Sequence, residues 1–267
     1  MQYELIALDL DDTLLDPDKR ISKRNLAAVT AARDAGVHII IATGRAYAGI
    51  GGFTKELGLR DYAIVTGGAA IMGPDGNVVD MQPVSESVTH QVMEWARSRD
   101  IYFQAYMDGT FWYETPTQYT SLYEKWNGYR GVHVPDLSER RDLASAKLLF
   151  IGTPEETQER RAAMHDAFPD LSLEVSDPRF LEISNPAASK GSALLRLGEQ
   201  LRVPPGRMIA IGDSPIDRSM IEAAGLGVAV QNAVPEVLEA ADLVTASCTE
   251  DGVAKVIEEY VLADRPH

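Results

Sequence analysis

The run Leu5-Ile6-Ala7-Leu8 is wholly apolar and stops at Asp9-Leu10-Asp11-Asp12-Thr13-Leu14. A short unbroken apolar run fits a strand buried on both faces, the kind found in parallel sheets covered by helices on each side. Two acids one residue apart then fall where the strand must end. Side chains alternate along a strand, so Asp9 and Asp11 can point toward one side of its tip. Carboxylates there are badly placed for a core and well placed for a ligand, because open α/β sheets bind at the carboxyl ends of their strands. Such a pair can hold a hard cation through oxygen. One acid can then attack while the other moves protons.

The rest of the first third repeats this rhythm. Residues 3–8 read as a buried strand. Ser22 suits an N-cap, Leu26, Val29 and Ala32 have helical spacing, and Gly36 suits the position after a helix end. A second buried strand is predicted over 37–42, then a helix over 46–57, a strand over 62–66 and a hairpin over 70–81 turning at Pro74-Asp75-Gly76-Asn77. The middle changes character: helices over 86–99 and 154–168, a hairpin over 103–114 about Asp108-Gly109, and strands over 146–151, 171–176 and 180–184. The last third returns to alternation, with helices over 189–201, 216–223 and 252–262 and strands over 208–211, 227–230 and 243–245. The expected fold is α/β: a doubly wound, mostly parallel, Rossmann-like sheet core from residues 1–82 and 187–267, interrupted by an inserted α+β domain over 83–186.

Composition narrows the partners. The formal net charge of −15 argues against a broad nucleic-acid or anionic-membrane surface, both of which need a basic face. It leaves room for an anionic small molecule, because a metal and backbone dipoles can invert the field in one cleft. Cys248 is the only cysteine, so no internal disulfide can form. With no leader-like segment and no apolar stretch long enough to span a bilayer, the expectation is a cytoplasmic protein, a monomer or small homo-oligomer.

Three further segments follow a buried strand or open a helix as Asp9 and Asp11 do. They are Thr43-Gly44-Arg45, Lys190-Gly191 and Gly212-Asp213-Ser214-Pro215-Ile216-Asp217. In a doubly wound sheet the strand tips converge on one cleft. That cleft would hold several acids, a hydroxyl, an ammonium and loop amides, a set that suits a phosphate ester held against a divalent metal. Plainer roles exist for some members. Asp213 and Asp217 also suit helix caps, Thr13 suits a bond to loop backbone, and Arg45 suits either a substrate contact or a surface salt bridge. His38, His90, His133, His165 and His267 form no local ligand pattern and are read as structural or exposed.

Taken in order, the motifs resemble the haloacid dehalogenase superfamily of aspartyl phosphatases. The insert resembles the C2B cap of its Cof-type sugar-phosphatase subfamily, as do Gly227-Val228-Ala229-Val230-Gln231-Asn232-Ala233 and Glu250-Asp251-Gly252-Val253-Ala254. The resemblance implies that Asp9 attacks phosphorus and becomes an aspartyl-phosphate. It implies that Asp11 protonates the leaving oxygen and then deprotonates water. It also implies Mg²⁺ held by Asp9, the backbone carbonyl of Asp11 and Asp213, with Asp217 in support. Thr43, Gly44 and Lys190 then bind the phosphate, and the insert acts as a lid. Its Trp112, Tyr113, Tyr119, Tyr123 and Trp126 either meet a substrate ring or pack the insert itself. Two positions depart from the subfamily: Gly67 and Ile216 stand where asparagines are usual.

The expected function is a Mg²⁺-dependent phosphomonoesterase of small phosphorylated metabolites, in the first place sugar phosphates. A phosphomutase would use the same intermediate with sugar as acceptor. A non-catalytic sugar-phosphate-binding regulator would keep the pocket without turnover.

Overall fold

The computed structural model describes residues 2–140 and 142–263. His267 lies outside the described residues. The chain first runs through β1 (Leu5–Leu8), α1 (Lys23–Asp34), β2 (His38–Ala42), α2 (Gly51–Glu56), β3 (Ala63–Val65), β4 (Ala70–Met72) and β5 (Val78–Met81). It continues through α3 (Glu86–Arg97), β6 (Phe103–Met107), β7 (Thr110–Tyr113), α4 (Gln118–Asn127), β8 (Val132–His133), β9 (Lys147–Ile151), α5 (Pro154–Ala167), β10 (Ser172–Asp177) and β11 (Phe180–Ser184). It ends with α6 (Lys190–Leu201), β12 (Met208–Gly212), α7 (Arg218–Ala223), β13 (Leu226–Val230), α8 (Pro235–Ala240), β14 (Leu243–Thr245) and α9 (Gly252–Ile257).

Contacts divide the chain into two units, one of Met1–Arg45, Ile50–Val79 and Ser189–His267 and the other of Ala46–Gly49 and Asp80–Ala188. The eight-stranded sheet has the order β14-β13-β12-β1-β2-β3-β4-β5. It is parallel from β14 to β3 and turns antiparallel at β3–β4. The order grows outward on both sides of β1, with β2 on one side and β12 on the other, which makes the β1–β12 pair the switch point where such sheets bind ligands. Both faces of β1 are covered. Leu5 and Ala7 pack with Ile40, Ala42, Ala193, Leu194 and Leu197, while Ile6 and Leu8 on the opposite face are also fully buried. Each leucine or isoleucine among them contributes roughly 1.5–3 kcal/mol on burial. The doubly wound α/β expectation therefore holds.

The six-stranded sheet of the second unit, in the order β10-β11-β9-β6-β7-β8, is antiparallel except at β7–β8. One face, with Phe103, Ala105, Leu148, Phe150, Leu181 and Ile183, forms a core with Val92, Met93 and Ala96 of α3 and Met164 of α5. The other face carries Gln104, Tyr106, Lys147 and Glu182, a polar set closed by the Lys147–Glu182 ion pair at 2.8 Å.

Several elements differ from expectation. The helix expected over 46–57 is only a single turn at Tyr47–Gly49 followed by α2. Gly49, Gly51 and Gly52 weaken helix there, and the Ala48 N–H is given to the Gly109 carbonyl instead. The final helix keeps regular form only to Ile257 and then widens over Glu258–Leu262. The segments α4, α8 and β8 carry no expected element. In α4 the aromatic and β-branched residues are poor helix formers. A capping box between Thr117 and Thr120, and Tyr123 packed edge-on to Phe111, supply what propensity does not.

Candidate active site

β1 ends at Leu8, and the Asp9 N–H still reaches the Ile211 carbonyl of β12 at 3.0 Å. Asp9 is buried. Its carboxylate faces Lys190, the first residue of α6, whose side chain is fully buried. The Lys190 ammonium donates to Asp9 Oδ1 at 2.6 Å and also to Asp217 Oδ1. The other oxygen of Asp217 accepts from the Ser214 N–H at 2.9 Å, the Ser214 hydroxyl at 2.7 Å and the Asp213 N–H at 3.2 Å. A buried ammonium is costly unless paired, and a lysine at a helix N-terminus opposes the helix dipole. Neither helix stability nor core packing accounts for a lysine here; its two carboxylates do.

The seating of α6 depends on two glycines. Gly68 has φ +98°, and a Cβ there would come within 2.1 Å of the Ser189 carbonyl group. A Cβ on Gly191 would meet the Ser219 carbonyl oxygen at 2.1 Å. Both allow the backbone approach that brings Lys190 to the end of β1.

Asp9, Asp213 and Asp217 offer oxygens that all lie within 4.8 Å of one another. Burial, then the neighbouring Asp217 and Asp213, push the Asp9 carboxyl well above its usual range, with Lys190 opposing. Burial pushes Asp213 up to about 6; Asp217 and Asp12 add to this, while a 2.8 Å bond from the Thr13 hydroxyl works against it. Burial disfavours the charged form of Lys190, but Asp217 and Asp9 outweigh it and hold the ammonium protonated. Two carboxylates thus share one ammonium, with the third, Asp213, close beside them. An all-oxygen donor set with excess negative charge fits a hard divalent cation such as Mg²⁺.

Asp11 lies apart from this cluster. Its carboxylate is gripped by Arg45, Nε to Oδ2 at 2.7 Å and Nη2 to Oδ1 at 2.6 Å, and by Lys19 Nζ at 3.0 Å. Burial favours the neutral acid, but Arg45 and Lys19 outweigh it and hold Asp11 below the usual range. The strand alternation that would have aligned Asp11 with Asp9 ends at Leu8, and the chain turns through Asp12 at φ +58°. Of the two roles open to Arg45, the structure shows an ion pair, to Asp11, with the guanidinium also 5.4 Å from the Phe53 ring centre. Thr13 bonds the Asp213 carboxylate rather than loop backbone.

Thr43 follows β2 and is buried, its hydroxyl accepting the Arg45 N–H at 3.2 Å. Gly44 lies against Ile216 Cδ1, which is 3.4 Å from the place a Cβ would take. Two residues with a bearing on the site had no role assigned from sequence. Lys19 arrives through a tight turn in which the Lys19 N–H bonds the Asp16 carbonyl at 2.8 Å, and no motif marks it. Asn232 donates to the Asp12 carbonyl at 2.7 Å and accepts from the Cys248 N–H at 2.9 Å, tying two loops together. Its place in the late Cof-like stretch was the available signal.

A family profile of haloacid dehalogenase-like hydrolases matches residues 6–257. The chain belongs to that family. YxeH of Bacillus subtilis is similar to it at 33% identity over 98% of this chain and 99% of its own. The 5-amino-6-(5-phospho-D-ribitylamino)uracil phosphatase YcsE of the same organism is 30% identical over 98% and 97%. The crystal structure of TM0651 from Thermotoga maritima superposes with a TM-score of 0.88 at 28% identity, covering 96% of this chain and 97% of that one. As a haloacid dehalogenase-like hydrolase, the protein is an enzyme of the phosphatase type. Among its described residues no helix is long and apolar enough to cross a membrane.

Proposed function

We propose that the protein is a Mg²⁺-dependent phosphomonoesterase of small phosphorylated metabolites, working in the cytoplasm through an aspartyl-phosphate on Asp9. Residues 1–82 and 187–267 are assigned as the catalytic core and 83–186 as the cap domain. The observation that carries the reading is the buried set Asp9–Lys190–Asp217 with Asp213 alongside. A carboxylate otherwise left unpaired in a buried place is a nucleophile kept close to a cation that its anionic substrate also needs.

In this reading Asp9 attacks phosphorus while the bond to the ester oxygen breaks. Asp11 gives that oxygen a proton. In the second step Asp11 takes a proton from water, the water oxygen attacks phosphorus, and the bond to Asp9 breaks to release inorganic phosphate. Asp11 is ionised in its grip by Arg45 and Lys19, so proton donation requires it to leave them and take up a proton. Lys190 and the Thr43-Gly44 loop bind the non-bridging oxygens and stabilise charge in the transition state. Mg²⁺ would be held by Asp9, the Asp11 carbonyl and Asp213, with Asp217 in support, and would neutralise phosphate charge.

Sugar phosphates are the first substrate class to test, supported by the Cof-type resemblance and by the phosphorylated ribityl chain in the name of YcsE. The experiment is a screen of phosphorylated metabolites and a generic aryl phosphate, with Mg²⁺ and with chelator. Release of inorganic phosphate only with Mg²⁺ is expected. Isomerised sugar phosphate without phosphate release would favour a mutase, and binding without turnover a regulator.

A further inference from the structure

We propose that Asn232 is a positioning residue of the metal site: its carboxamide holds the loop after β1 so that Thr13 keeps Asp213 in place for Mg²⁺. The proposal rests on the Mg²⁺-dependent phosphatase reading and names a residue through which that site is made ready for its cation.

Asn232 lies two residues beyond the end of β13, and its side chain is exposed. Water would satisfy a carboxamide there, yet both ends are committed to the backbone of other loops. Nδ2 donates to the Asp12 carbonyl at 2.7 Å, and Oδ1 accepts from the Cys248 N–H at 2.9 Å. A carboxamide supplies the donor and the acceptor together. One side chain thus joins the loops after β1, β13 and β14.

The bond to Asp12 closes a ring around Asp213. The next residue, Thr13, gives its hydroxyl to Asp213 Oδ1 at 2.8 Å. The Asp213 carbonyl accepts from the Val234 N–H at 3.0 Å, and Val234 is two residues from Asn232. Asp213 is therefore held at its carboxylate by one side of the ring and at its backbone by the other. Asp12 stands at φ +58°, a conformation uncommon for a residue with a side chain and kept where the surroundings impose it. The Asn232 bond falls on that residue's carbonyl.

Of the three clustered acids, Asp213 is the one in most need of holding. Asp9 and Asp217 each accept from the Lys190 ammonium, whereas the Asp213 carboxylate accepts the neutral Thr13 hydroxyl. It still offers an oxygen within 4.8 Å of theirs. Like charges this close repel, and a half-buried carboxylate has water to turn to. A cation that needs these oxygens together binds more tightly when they are kept together beforehand. Groups that hold metal ligands in this way contribute about 10–100-fold in affinity.

Titration calorimetry of Mg²⁺ into the whole protein without substrate tests this. The melting temperature of each metal-free variant and the Mg²⁺ dependence of aryl phosphate hydrolysis are measured beside it. Asn232→Ala should raise the Mg²⁺ dissociation constant about tenfold, shift the Mg²⁺ activation curve by the same factor and regain turnover as Mg²⁺ is raised. Asn232→Asp keeps the acceptor for Cys248 and loses the donor to Asp12, so it carries the test if the Ala variant does not fold. It should also bind Mg²⁺ more weakly, in spite of its added negative charge. Thr13→Val keeps the shape and removes the hydroxyl, and it should weaken binding as well. Adding Asn232→Ala to Thr13→Val should then cost little more, because both act on Asp213 through one bond. A support for the loops alone would lower the melting temperature and leave the dissociation constant unchanged. That result, or losses that multiply in full in the double variant, overturns the proposal. Wild type that binds Mg²⁺ but hydrolyses no phosphate ester overturns the phosphatase reading, and the role of Asn232 is still decided by the dissociation constants. Wild type that binds no Mg²⁺ overturns both.

Discussion

At the scale of single residues, two carboxylates in one motif have opposite surroundings. Asp9 is buried among acids against one ammonium, and Asp11 is held by two cations. This separation gives distinct predictions. Asp9→Asn is nearly isosteric and a very poor nucleophile, so turnover disappears while thermal melting stays close to wild type; a fully active variant would remove Asp9 from its role. Asp11→Asn should lower kcat/KM by about 10²–10⁴-fold for alkyl phosphates. The loss should be much smaller for a nitrophenyl ester, whose leaving oxygen needs no proton. An equal loss for both esters would argue against proton donation by Asp11. Asp9, Asp11, Lys190, Asp213 and Asp217 stood out in the sequence because acids and a lysine at strand ends and helix starts serve no core. The partners of Asp11 did not stand out. Arg45 had two readings of equal merit, and Lys19 reaches Asp11 only because the turn after Asp16 folds back.

At the scale of elements, the site depends on where α6 begins. Its N-terminus is fixed by the Ser189–Ser192 capping box and by the close approach of Gly68. Gly68→Ala would force a left-handed alanine into the Ser189 carbonyl group. It should destabilise the fold by about 2 kcal/mol or more and reduce turnover further than the stability loss explains, because Lys190 moves with the helix. Denaturant unfolding beside Mg²⁺-saturated kinetics would check this, and wild-type behaviour in both would show that the approach is loose. The buried strands were legible because period and composition agreed at Leu5–Leu8 and Ile39-Ile40-Ile41. The segment after Arg45 misled because its apolar spacing suits a helix while three nearby glycines do not. The helix α4 was hidden for the reverse reason, since tertiary packing of Tyr123 overrides weak propensity.

At the scale of the whole molecule, the second unit holds an ion pair outside the proposed chemistry. Burial works against ionisation of Glu182, but Lys147 and the Ser176 hydroxyl outweigh it and hold its carboxyl below the usual range. A depressed carboxyl stabilises the fold above its unfolded value and loses that contribution as pH falls through the folded one. Lys147 is shifted up, so its contribution persists through neutral pH. Glu182→Gln should therefore cost about 2 kcal/mol at neutral pH, discounted for the edge of Glu182 that meets solvent. The deficit should shrink below about pH 4. Unfolding curves across that range decide it, and a pH-independent deficit would mean that the pair is not the source.

In the proposed mechanism Asp9 carries the phosphoryl group during turnover. The direct measurement is acid quenching of the enzyme during steady-state hydrolysis with Mg²⁺, followed by peptide mass spectrometry. A phosphoryl group is expected on the peptide containing Asp9, absent in Asp9→Asn and accumulating in Asp11→Asn when a nitrophenyl ester is the substrate. Rapid turnover with an unmodified Asp9 peptide at every quench time, under conditions that preserve acyl phosphates, would contradict it.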